Sequence, residues 1–161
     1  MNLHTPTSPP VSDMSCSANE PHAETPRWHT NVLIASAIHS GVWGVFIIVW
    51  PATSAVVYGF ADPPVEEHLW QGTGLFISLL AIGYGIAAAD PWRHWSVVLT
   101  GLLAKVFGAA GMCLAVARQQ VSPDVLWLLP FNDVIWWWPF WRIVRTAATS
   151  KNGRFSGADG A

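Results

Sequence analysis

Lys105, Asp133, Asn132 and His39 stand in stretches otherwise made almost wholly of apolar and small residues. A lysine and an aspartate in such surroundings either form an ion pair or share a proton as a neutral hydrogen-bonded pair. An asparagine next to the aspartate can extend that network, and a histidine can add a switchable hydrogen bond. Ionisable groups of this kind inside a membrane mark proton, ion or ligand sites, or lock helix register.

The elements that must hold these residues are hydrophobic runs at about 30–50, 69–89, 94–117 and 124–145. Each is close to the ~20 residues with which a helix crosses ~30 Å of hydrocarbon. The expected fold is therefore all-α, an integral membrane four-helix bundle over residues 28–146. The midpoints of the first, third and fourth runs fall near residues 40, 106 and 134. At about 1.5 Å rise per residue, His39, Lys105 and Asp133 all lie within roughly 2 Å of the midplane. Lys105 is then ~15 Å from the boundary marked by Trp95, too far for its stem to reach water. An unpaired charge there costs about 2.5–3.5 kcal/mol. The last run needs a partner for the same reason. Its Leu, Ile, Val and Phe residues between 125 and 135 supply about −2 to −4 kcal/mol, which Asp133 nearly cancels. A short connection makes the third and fourth runs neighbours, so Lys105 and Asp133 are expected to pair.

Composition agrees with a bilayer. The chain is 52% hydrophobic and 11% charged, against roughly 25% charged in soluble domains. Of the eleven tryptophans, eight suit the two membrane boundaries: Trp28, Trp92, Trp95, Trp138 and Trp141 at one, Trp50, Trp70 and Trp127 at the other, with Trp136 and Trp137 somewhat deeper. Arg27, Arg93, Arg142, Arg145, Lys151 and Arg154 would share one side, with Arg118 alone on the opposite side near the acidic "ADPPVEEH". That asymmetry places both termini in the cytoplasm and the protein in a cell membrane, multi-pass, as in a bacterial inner membrane. Residues 1–27 are rich in Pro, Ser and Thr and read as a disordered tail without a signal peptide's apolar core. Residues 147–161 read as a second polar tail.

Small residues recur where helices could approach closely. Gly101 and Gly108 flank Lys105 at i−4 and i+3, Gly74 and Gly85 fall on one stripe with Ser78 and Ala81, and Ser36, Ser40 and Gly44 form another. Pro130 removes one helical hydrogen bond a turn before Asp133, predicting a kink there.

"YGIAAADPWRHW" (84–95), "GLLAKVFGAAG" (101–111) and "NDVIWWWPF" (132–140) together resemble a family of small bacterial four-helix membrane proteins of unassigned function. Its pattern is a Tyr-Gly…Asp-Pro…Arg-His-Trp turn, a Gly-x3-Lys-x2-Gly helix and an Asn-Asp-x2-Trp-Trp-x-Pro-Phe ending. The resemblance covers about 40–150, and the architecture is also similar to that of DoxX-like proteins. It implies a membrane bundle in which Lys105 and Asp133 matter, and no reaction. Some such proteins carry a label suggesting alkyl hydroperoxide reductase. Thiol-based peroxide reduction needs an activated cysteine and a resolving partner. Cys113 lies in an apolar run and Cys16 in the tail.

The function expected from these residues is binding or relay of a proton, ion or small polar solute at the Lys105/Asp133 centre. The alternative is a non-catalytic accessory or scaffold subunit of a larger membrane complex, such as a redox one. A third reading, an integral membrane oxidoreductase using quinone or haem, ranks below these because paired His or Cys ligands are missing and the sequence carries no dithiol motif; no cofactor or metal is otherwise indicated. The expected partners are the lipid bilayer and either further copies of the chain or a larger complex. A net charge of −2 offers nucleic acid nothing.

Overall fold

Uninterrupted apolar sequence with no interior proline favours long helices, and the chain forms three of them. The computed structural model describes residues 26–61 and 66–156, with side chains as far as residue 149. Most of the 1–27 tail and the end of the 147–161 tail lie outside the described residues. The elements are α1 (Arg27–Val49), α2 (Pro51–Val57), α3 (Glu67–Ala89), α4 (Trp95–Ala117), a 3-10 turn (Pro123–Trp127), a π-helical turn (Pro130–Val134) and α5 (Ile135–Ser156). No strand occurs among the described residues. α1, α3 and α4 are each long and apolar enough to cross a membrane, the mark of a membrane protein. Their outward faces agree: Ile38, Val42, Leu79, Ile82 and Phe107 are all more than half exposed, which only lipid or another protein would favour.

The fourth hydrophobic run differs from expectation, because it is not one helix. It starts as the 3-10 turn, passes through the π turn at Pro130 and becomes a regular helix only at Ile135. The cause is local. Pro130 has no N–H to donate, and the Ile135 N–H reaches back five residues to the Pro130 carbonyl, which widens the helix by one residue. α5 then runs past Pro139 to Ser156, so part of the expected polar tail is helical.

α2 has no counterpart among the four expected runs. Trp50 leaves the helical conformation (φ −127°, ψ 65°) and Pro51 starts a new short helix, a position where its missing N–H costs nothing. The Ser54 hydroxyl accepts from Trp70 Nε1 (2.9 Å), and Gln71 Nε2 donates to the Ile48 carbonyl (3.0 Å), fastening this corner to the start of α3. Gly59 takes a φ of +80°, a left-handed conformation suited to glycine. That turn lets Ser122 N donate to the Gly59 carbonyl (2.8 Å), joining α2 to the connection after α4.

α1 packs along most of α3, α4 lies against the π turn and α5, and α3 meets α4 more sparingly. One buried cluster gathers Leu33, Tyr84, Ala87, Val98, Phe140 and Ile143. A second, at the α2 end, gathers Ile47, Tyr58, Val121 and Val125. The tightest seam is between α1 and α3. A Cβ placed on Gly74 would stand 2.8 Å from the Gly44 carbonyl oxygen, and one on Gly44 would stand 2.7 Å from the Gly74 oxygen. Gly101 is also at a contact, with the Tyr84 ring lying directly on it. Gly85 and Gly108 are not: a Cβ on either would meet nothing within 4 Å. Among the described residues nothing packs closely on those two glycines. Gly85→Ala and Gly108→Ala should each raise the unfolding temperature, by the helix-propensity gain of about 0.5–1 kcal/mol. A loss of stability in thermal melts of the detergent-solubilised variants would show that these faces are covered in a larger assembly.

Candidate functional site

The π turn carries Asn132 and Asp133 to α4. Lys105 Nζ donates to the Asn132 backbone carbonyl at 2.8 Å and stands 3.6 Å from Asp133 Oδ1. Asn132 Nδ2 donates in turn to Asp133 Oδ2 at 3.2 Å. The Lys105 and Asp133 side chains are only 10% and 12% exposed, so this is a buried pair. Charge attraction and the carbonyl hydrogen bond act against the desolvation that burial imposes on both groups. The structure thus brings Lys105, Asp133 and Asn132 together. Asn132 acts chiefly through its backbone oxygen, a role that its side-chain type does not reveal.

His39 is held apart from this trio. Its Nε2 accepts a hydrogen bond from Trp43 Nε1 one turn away (3.2 Å), and its ring packs against Trp136 with centroids 5.5 Å apart. Nδ1 is buried with no partner. His39 makes no hydrogen bond to Lys105, Asp133 or Asn132 among the described residues.

The ion pair borders a cavity of about 300 Å³. Its polar end holds Ser40, Lys105, Asn132 and Asp133, and it continues between α1, α3 and α4 toward α2. Trp43, Tyr58, Trp70 and Phe76 contribute to the walls, with Met112 and Leu128 across from them. Trp43, Tyr58 and Trp70 meet edge to face in sequence, at 5.9 Å and 5.3 Å between centroids, the arrangement that ring quadrupoles favour. The chain has two tyrosines, and both line the cavity. The Tyr84 hydroxyl is buried without a hydrogen-bond partner among the described residues, a state that costs about 1–3 kcal/mol. Burial, with the Asp133 carboxylate second, holds the Tyr58 phenol above its ordinary pKa, so it stays protonated.

Sequence reasoning did not assign Tyr58, Tyr84, Trp43 or Trp70 to the site; Trp70 was expected at a membrane boundary and Tyr84 only as part of a turn motif. The usable signal was the rarity of tyrosine in an otherwise tryptophan-rich chain, together with the i, i+4 spacing of His39 and Trp43. At the end opposite α2, the Arg142 guanidinium lies over the rings of Trp28 and Trp138, at 5.4 Å and 5.0 Å. That arrangement suits an anchor at a membrane surface.

Among the described residues no group of three or more His, Cys, Asp and Glu side chains is placed to hold a metal ion. Cys113 is exposed on α4 and free. No known protein family, curated protein or solved structure matches the chain. The functional argument therefore rests on the site itself.

Proposed function

We propose that the chain is a multi-pass membrane protein, a bundle of four spans with both termini in the cytoplasm, whose Lys105/Asp133 centre binds or relays a proton, ion or small polar solute. The observation that supports it is the coincidence of the buried ion pair with the end of a cavity. A pair serving only to fix helix register would be packed over on all sides. Here one side of Lys105 and Asp133 borders empty space large enough for a small molecule. Three apolar helices with lipid-suited faces support the membrane setting. The fourth span combines the π turn with the first part of α5, and its Arg142 and Arg145 carry the positive side. The alternative, a scaffold subunit, would leave this cavity without a role.

The test is proton movement in proteoliposomes, read by an enclosed pH-sensitive dye after an external pH step. Vesicles holding the full chain should equilibrate faster than protein-free vesicles. The Asp133→Asn variant keeps the shape and one of the two acceptor oxygens that face Lys105 and Asn132 but cannot carry the charge, and should fall back to the protein-free rate. Equal rates for the two proteins would overturn the proposal that this centre handles a proton.

A further inference from the structure

The way into the cavity says what can reach it. α3 and α4 are in close contact near one end, where the Tyr84 ring lies on Gly101 and a Cβ on Gly83 would stand 2.9 Å from Val97 Cγ1. Two turns further along α4 this closeness is lost: Gly108 and Gly111 would both offer a Cβ open space. Thr73, Phe76 and Gly108 line the cavity and are also exposed on the outside of the protein. The cavity wall between α3 and α4 therefore doubles as outer surface. Around it the surface is apolar, with Leu75, Leu79, Leu103 and Phe107 all exposed. An opening set in such a surface faces hydrocarbon rather than water.

The polar end states the chemistry. Lys105 has three N–H donors. One goes to the Asn132 carbonyl and a second faces Asp133, which leaves a third without an acceptor among the described residues. The Tyr84 hydroxyl, also without a partner, lies against Gly101, one turn before Lys105 on the same helix face. Lys105, which borders the cavity, asks for an acceptor oxygen. The lysine charge is already balanced by Asp133, so an anion would have to displace that carboxylate, whereas a neutral oxygen would not. The rest of the lining, with rings from Trp43, Tyr58, Trp70 and Phe76, suits a flat ring.

Building on the functional reading above, we propose that the cavity takes an uncharged, lipid-dissolved ring compound bearing a carbonyl oxygen. It enters sideways between α3 and α4, past Phe76 and Gly108, and sets its oxygen on Lys105 Nζ. The rings of the cavity hold its flat body, and the apolar remainder stays toward the opening.

Benzophenone tests this directly, because it is a lipid-soluble aryl ketone that cross-links to neighbouring C–H bonds on irradiation. The full chain is reconstituted in phosphatidylcholine vesicles, loaded with benzophenone, irradiated, and the labelled residues are mapped by peptide mass spectrometry. Cross-links are expected within residues 73–77 and 108–112. Excess fluorenone, a flat ketone, should suppress them, and fluorene, the same ring system without the oxygen, should not. Lys105→Met should reduce labelling about tenfold, as for one lost hydrogen bond to a charged donor. Gly108→Trp, which fills the opening and leaves the polar end untouched, should reduce it as strongly and carries the test if Lys105→Met does not fold. Labelling spread over the outer faces of the helices and unchanged in Gly108→Trp would overturn the proposal, as would equal suppression by fluorene. Suppression by benzoate added to the water phase would overturn both the neutral ligand and the entry from lipid. No labelling of the cavity in the wild-type chain would also overturn it. The Asp133-dependent proton flux, measured separately, would then decide whether the polar centre itself still stands.

Discussion

Replacing Asp133 with leucine is expected to cost about 3–5 kcal/mol, the penalty for stranding a buried charge. The change removes the anion 3.6 Å from Lys105 Nζ and takes the acceptor of the Asn132 side chain with it. Only the Asn132 carbonyl would remain to solvate the ammonium, in a site where the lysine side chain is 10% exposed. Lys105→Met should be comparably harmful, because it leaves an unpaired carboxylate. The double variant Asp133→Leu/Lys105→Met is expected to recover most of the loss, since two apolar side chains of similar volume need no solvation. Thermal unfolding of the four proteins in one detergent completes the cycle. A double variant as unstable as the two single changes added together would mean that the charges do not interact, and the pair would lose its standing as a unit.

Gly44→Val is expected to be the second most damaging change, at about 3 kcal/mol, the upper part of the range for overpacking a tight interior. The new side chain would have to occupy space taken by the Gly74 carbonyl oxygen and the Ser78 backbone nitrogen, 2.7 Å and 2.9 Å from its Cβ. These are backbone atoms of α3 and cannot swing aside as a side-chain tip can. α1 and α3 would have to separate along their main seam, and Ser40, one turn earlier on α1, would be carried away from the polar end of the cavity. The same change at Gly72, where a Cβ meets nothing within 4 Å, should be close to neutral. Comparing the two melting temperatures checks the seam, and equal shifts would show that helix propensity rather than helix contact sets the effect.

Much of this arrangement is legible in the order of the residues. The first three runs at 30–50, 69–89 and 94–117 correspond to α1, α3 and α4 within a few residues, because a bilayer demands length and apolarity and little else. The approach of Lys105 to Asp133 follows from arithmetic: helices rise by a constant amount per residue, so sequence position translates into depth. An anion and a cation at one depth on adjoining segments have few other places to go.

Which face of each helix meets a neighbour is not legible in this way. In water, a hydrophobic stripe announces the buried side of a helix. In hydrocarbon the outside is as apolar as the inside, so that stripe is missing. Gly101 and Gly108 share one predicted face, yet the first lies under Tyr84 and the second on an open surface. His39 shares the expected depth of Lys105, but its rotation about the α1 axis turns it to Trp43 and Trp136 instead.

Sequence alone therefore determined which runs form the long apolar helices and where along them each polar group stands, since both depend on composition and on a fixed rise per residue. Tertiary structure alone decided the rest: the separation of α3 from α4, the cavity this leaves, and the two tyrosines on its walls. Those features depend on how helices rotate and tilt against one another, and that is settled by the fit of side chains from segments far apart in the chain.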